Sequence, residues 1–117
     1  RLAPLERLFA DRFPGTFYMS FFENWYSPGW WWLTLHPSLG TKANAVAQIA
    51  ARVGADMSDV TVFGDQVNDI PMFEVAGHAV AVDNAVPELK NHADEIIGPN
   101  PSDSVVRWLA AHWTPDR

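Results

Sequence analysis

Gly64-Asp65-Gln66-Val67-Asn68-Asp69-Ile70-Pro71 is the stretch that decides how this chain of 117 residues is read. It follows a short apolar run, Val60-Thr61-Val62-Phe63, and leads into Met72-Phe73-Glu74-Val75-Ala76, which has helical character. A strand that ends in glycine, places two carboxylates and an amide in a loop and then enters a helix has a specific meaning. In open α/β sheets, ligands bind just beyond the carboxyl ends of the strands. Asp65 and Asp69 therefore stand where a hard cation and a phosphate would be held.

The segments on either side repeat the same rhythm. Downstream, Ala79 to Val82 reads as a second buried strand and Val86 to Ala93 as a helix, with Asn84 a candidate cap and Pro87 in its first turn. Glu95 to Ile97 reads as a third strand, and Ser102 to His112 as a last helix capped by Ser102 or Asp103. Upstream, Lys42 to Val53 carries Ala43, Val46, Ala47, Ile49, Ala50 and Val53 in a broad apolar stripe, and Gly54 stops it. Val60 to Phe63 reads as a continuous apolar strand with both faces covered. Alternating helices and strands predict an α/β doubly wound parallel sheet, with Ile70 to Ala76 as the helix after the acidic loop.

Residues before Pro37 have another character. Pro4 to Phe13 reads as a short amphipathic helix, with Leu5, Leu8 and Phe9 opposite Glu6, Arg7 and Asp11. Thr16 to Glu23 and Trp30 to His36 are aromatic-rich strand candidates joined by Asn24 to Gly29. Trp25, Trp30, Trp31, Trp32, Tyr18 and Tyr26 gather here. Packing of the sheet on its helix accounts for most of them. Consecutive tryptophans cannot all point inward at a period of two, so a substrate-facing or partner-facing surface also stays open. Pro37 to Gly40 is a linker by composition, which divides the chain into 1–37 and 38–117.

Bulk properties narrow the classes. Hydrophobic residues make up 48% and charged residues 19%, the balance of a globular chain. A formal charge of −6 argues against nucleic acid as a partner. Zero cysteines exclude disulfides and thiolate metal sites and fit a cytoplasmic protein. No apolar run approaches a membrane span and no targeting segment is visible. His36, His78, His92 and His112 lack ligand spacing, and Gly-x-Ser-x-Gly, Gly-x-x-x-x-Gly-Lys and Gly-x-Gly-x-x-Gly are absent.

The candidate chemistry lies in a few side chains. Asp65 and Asp69 can supply oxygen ligands to Mg²⁺, which takes few protein ligands beside water and a substrate phosphate. Spacing alone leaves equal room for Asp65 or Asn68 to cap the following helix while the other acid is solvated. An EF-hand does not fit the order of the acids. Lys42 opens its helix at the end that cations disfavour, which hints at a bound anion, although a solvated lysine also fits. Asp83-Asn84-Ala85 is either a turn with a helix cap or a rim contact to substrate.

Thr41-Lys42-Ala43, the stretch Gly64 to Met72 and the run Val80-Ala81-Val82-Asp83-Asn84-Ala85-Val86-Pro87-Glu88-Leu89-Lys90 together resemble the haloacid dehalogenase superfamily. The resemblance is to its Cof-type phosphatases with a mixed α/β cap and runs along roughly residues 30–109. It implies a Rossmannoid sheet, here incomplete, with 1–37 as a small αββ cap fragment and 38–117 as part of the core. It implies a Mg²⁺ cofactor with Asp65 as a direct ligand, and Asp69 orienting the metal's water shell or the lysine. Asn68 would contact the transferring phosphoryl group, and Lys42 would neutralise charge between phosphate and nucleophile. The substrate it implies is a small phosphorylated metabolite.

One departure matters. The family nucleophile sits in Asp-x-Asp, and no Asp-x-Asp occurs between Arg1 and Arg117. The start at Arg1-Leu2-Ala3 without Met and the missing sheet neighbours predict the C-terminal part of a larger protein, or another chain that completes the sheet. The isolated chain is expected to be inactive or nearly so. A non-catalytic haloacid dehalogenase-like domain that binds through its tryptophans is the alternative, and an unrelated nucleotide- or sugar-binding module is a third.

Overall fold

The computed structural model describes residues 2–115. They form two compact units, Arg1–Asn44 and Ala45–Arg117. None of the described helices is long and apolar enough to cross a membrane.

The first unit consists of α1 (Ala3–Arg12) and an antiparallel hairpin, β1 (Phe17–Glu23) and β2 (Trp31–Pro37). The register pairs Tyr18 with His36, Ser20 with Thr34 and Phe22 with Trp32 on one face. Phe17, Met19 and Phe21 alternate onto the other, where Phe17 meets Phe9 and Phe13 edge-on with ring centroids 6.1 and 6.0 Å away. Trp31 lies on that side against Phe21, whereas Trp32 lies tilted beside Phe22 on the opposite face. The tryptophan run is thus split by the pleat, as a period of two requires. The amphipathic reading of the first helix is corrected. Leu5 and Leu8 stay exposed and α1 buries no residue, because Phe9 and Phe13 make its aromatic contacts with the hairpin.

The second unit holds three parallel strands in the order β3-β4-β5: β3 (Thr61–Gly64), β4 (His78–Val82) and β5 (Glu95–Ile97). α3 (Ile70–Val75) lies in the chain between β3 and β4, and α4 (Pro87–Lys90) lies between β4 and β5. α2 (Lys42–Val53), within which the two units divide, precedes the sheet, and α5 (Ser104–His112) follows it. Ala79, Val80, Ala81 and Val82 are all buried, which fits a central strand covered on both faces. With Val62, Met72, Phe73, Ala85, Val86 and Leu89 they make the core.

Three element readings need correction. β3 is not covered on both faces: Val62 is buried on one, but Thr61 is exposed and Phe63 half-buried on the other, where Trp108 meets Phe63. The stripe on α2 is narrower than expected. Val46 packs against the core and Ala50 is buried, but Ile49 and Val53 face outward. The helix expected over Val86 to Ala93 shrinks to Pro87–Lys90, since Val86 is held extended by the proline that follows it.

Candidate functional site

β3 delivers the acidic loop at its carboxyl end, where Gly64 pairs in register with Ala81 of β4. The loop then forms a single 3₁₀ turn, Val67–Asp69, and runs directly into α3. Asp69 is 3% exposed, and its Oδ2 accepts the backbone N–H of Asp65 at 3.0 Å and of Gln66 at 3.2 Å. Gln66 reciprocates by accepting the Asp69 N–H with its side chain, which closes a capping box. The alternative in which Asp65 or Asn68 caps the following helix does not form. The capping box closes the 3₁₀ turn, and α3 begins behind it, with Asp69 at its N-cap and no side-chain cap.

This bonding leaves Asp65 half-buried at the loop's start and Asn68 exposed at its crest. Gly64 makes the arrangement possible. A Cβ there would lie 2.8 Å from both Cβ and Oδ2 of Asp69, so only glycine lets the buried carboxylate close under the strand end. Gln66 and this role of Gly64 were not foreseen from the sequence. The Gln-x-x-Asp spacing carried the first signal; the second needed the packed side chain of Asp69.

A second loop is tied to the first. The Val86 N–H donates to the Asp65 carbonyl at 3.0 Å, which fixes Asp83-Asn84-Ala85 beside the acidic loop at the same end of the sheet. Asn84 does not cap α4: its Oδ1 accepts the Asn100 N–H at 2.8 Å and so holds the stretch leading to α5. Lys90 lies 3.6 Å from Asp83 Oδ1. Asp103 adopts a left-handed conformation before α5 without a side-chain cap, and Ser102 closes a 3₁₀ turn, so neither expected cap forms. Instead, the Ser104 hydroxyl donates to the Pro99 carbonyl.

Asp65, Asn68 and Asp69 are therefore gathered on one loop of the second unit. Lys42 is the exposed first residue of α2 and belongs to the first unit; it shares a helical row with Val46 and Ala50. Thr41 Oγ1 accepts the Asn44 N–H at 3.2 Å and starts that helix. Among the described residues no group of three His, Cys, Asp or Glu side chains is placed to hold a metal ion. Asp65 and Asp69 are hard oxygen donors of the kind Mg²⁺ takes in ones and twos, so the donor chemistry fits as one arm of such a site.

His36, His92 and His112 are exposed, and His78 is half-buried. His78 Nε2 lies 3.0 Å from Glu95 Oε2, and Trp108 Nε1 donates to the same carboxylate at 3.1 Å. Trp108 also stacks on His112, with centroids 4.0 Å apart. The hydrogen bond from His78, and then that from Trp108, hold the Glu95 carboxyl below the usual carboxylate range.

The chain as a whole has known relatives. The family model for haloacid dehalogenase-like hydrolase matches residues 3–109. The stress response protein YhaX of Bacillus subtilis is 40% identical over 81 residues, which cover 69% of this chain and 28% of that protein. The 5-amino-6-(5-phospho-D-ribitylamino)uracil phosphatase YwtE of the same organism is 34% identical over 73 residues, or 62% of this chain and 26% of the relative. A crystal structure of a haloacid dehalogenase-like hydrolase from Bacteroides thetaiotaomicron aligns with a TM-score of 0.73 and 28% identity, covering 96% of this chain and 40% of that one. The chain belongs to the haloacid dehalogenase-like hydrolases. It spans under a third of the length of the two curated relatives described.

Proposed function

We propose that this chain is part of a Mg²⁺-dependent phosphatase that hydrolyses a small phosphate ester. The observation that carries the reading is the bonding of the acidic loop. One carboxylate, Asp69, is buried and accepts two backbone N–H groups of the loop, and the second, Asp65, is half-buried at the strand end. Asp65 and Asp69 would hold Mg²⁺, Asp65 directly and Asp69 by orienting its water shell or the lysine. When bound, the ion would offset charge on the transferring phosphoryl group. The exposed amide of Asn68 would donate to a phosphoryl oxygen. Lys42 would balance charge between phosphate and nucleophile, and as a compact point charge it suits that task.

The nucleophilic carboxylate comes from outside these 117 residues in this reading, since Asp-x-Asp is absent from them. β3 lies at the edge of its sheet and would accept the strand that brings it, from a preceding segment or from another chain. Residues 1–37 would act as part of a cap and 38–117 as part of the catalytic core, in a cytoplasmic enzyme.

The test is an assay of the full-length protein with p-nitrophenyl phosphate and Mg²⁺. Asp65→Ala should reduce the rate by at least about 10²-fold, the scale of losing one preorganised electrostatic group. Full activity in that variant would overturn the metal assignment. Lys42→Ala should lower the rate comparably, and should do so at saturating Mg²⁺.

A further inference from the structure

We propose that the tip of the β1–β2 hairpin is a binding site for a neutral saccharide ring. This goes beyond the phosphatase reading and is independent of it, because every residue involved lies in the unit Arg1–Asn44. Glu23, Asn24, Trp25 and Pro28 line an open hollow of about 190 Å³. That is smaller than the roughly 300–1,000 Å³ of pockets for drug-sized ligands, and suits a single small ring.

Hairpin turns are usually made of small polar residues, because their side chains stand in water. This one displays Trp25 at 75%, Tyr26 at 98% and Trp30 at 72% exposure. The display is fixed in place by the loop's own hydrogen bonds. Glu23 Oε1 accepts the Gly29 N–H at 2.7 Å, Asn24 Oδ1 accepts the Tyr26 N–H at 2.9 Å, and the Asn24 N–H donates to the Trp30 carbonyl at 2.8 Å. Gly29 adopts φ +87°, which the close return of the chain requires and a side chain would resist. A preordered loop that holds aromatic faces outward avoids most of the ordering entropy of binding.

The polar partners select the ligand. An indole offers a flat apolar face to the C–H face of a pyranose, while a carboxylate and an amide accept and donate hydrogen bonds to its hydroxyls. Residues 13–41 contain no lysine or arginine and a single acid, Glu23. A phosphate, a nucleotide or an anionic membrane would find no cation here, whereas a neutral polyhydroxylated ring needs none.

The experiment follows the indole N–H resonances of the full-length protein by NMR during titration. The probes are the methyl glycosides of glucose, galactose, mannose and N-acetylglucosamine, with adenosine and phosphatidylcholine vesicles as separate arms. At least one glycoside should shift the Trp25 indole saturably while the Trp108 indole stays still. Trp25→Ala should abolish the accompanying shift of the Trp30 indole without loss of fold, since the Trp25 side chain is largely exposed. Glu23→Gln keeps an acceptor for the Gly29 N–H and should weaken binding about tenfold, the loss of one good hydrogen bond to a charged group. The proposal is overturned if no glycoside moves Trp25 at tens of millimolar, if adenosine or vesicles do so in their place, or if Trp25→Ala binds a glycoside as wild type does. Because phosphatase activity is not read, failure here leaves the acidic loop's role standing, and failure of the phosphatase assay leaves this site standing.

Discussion

The acidic loop at Gly64–Pro71 and the hairpin tip at Asn24–Trp30 solve opposite problems with the same device. Each is a turn held by side-chain oxygens that accept backbone N–H groups. In the acidic loop the accepting carboxylate, Asp69, is buried, and the loop rests on a core that includes Val62, Met72 and Phe73. At the tip the acceptors Glu23 and Asn24 lie near the surface, and large aromatic rings face water. The contrast extends to the units that carry them. Every described residue that is fully buried lies in Ala45–Arg117, and none lies in the first unit. A two-stranded hairpin with one short helix cannot exclude water from its interior. Order in the acidic loop thus rests on a packed core, whereas order at the tip rests on local hydrogen bonds.

Substitutions can break this comparison in order of size. Leu89 is 0% exposed, so Leu89→Ala should lower the unfolding free energy by about 2–5 kcal/mol in urea titrations of the intact protein. An equal loss from truncating an aromatic of the hairpin, such as Phe21→Ala, would erase the distinction between the units. Gly64→Ala comes next. The new Cβ would press on a carboxylate already held by two N–H groups, and the strand end must shift. A stability loss of about 1–3 kcal/mol is expected from overpacking, with Mg²⁺ affinity reduced about 10–100-fold, as for removal of a group that orients a ligand.

A smaller effect concerns acid. The Glu95 carboxyl is held below the usual range by His78 first and Trp108 second. A folded value below the unfolded one stabilises fully above the unfolded glutamate value of about 4.3 and is lost as pH falls through the folded value. Acidification below about pH 4.3 should therefore loosen α5, seen as faster amide exchange around Trp108. Glu95→Gln should remove that pH dependence, and its persistence would point to another carboxylate. Smallest of all, Trp25→Ala should change stability by no more than about 0.5 kcal/mol, because the ring is already in water. A larger loss would mean that the tip is structural rather than an exposed contact surface.

The parallel sheet was legible because β4 reads Ala79-Val80-Ala81-Val82 without a polar break and helical segments alternate with the strands. The acid loop was legible for a similar reason: a strand, a glycine and four polar side chains in one short run. What stayed hidden depended on contacts between distant residues. Asn84 looked like a cap because asparagine before a helix usually is one, but Asn100 lies sixteen residues away in sequence and claims its oxygen. Ile49 and Val53 fit the period of an inward stripe, and only the position of the sheet decides that Val46 and Ala50 are the ones that pack. Gly64 read as a strand end, while its need to lack a side chain comes from Asp69 folding beneath it.

The central claim is that the Gly64–Pro71 loop holds a divalent cation through Asp65. The most direct measurement is a Mg²⁺ titration of the full-length protein, following the amide resonances of Gly64 to Asp69 in wild type and in Asp65→Asn. The account predicts saturable shifts confined to that loop and the Asp83–Val86 stretch bonded to it, and their loss in the variant. Equal Mg²⁺ affinity in Asp65→Asn, with the same resonances moving, would contradict it.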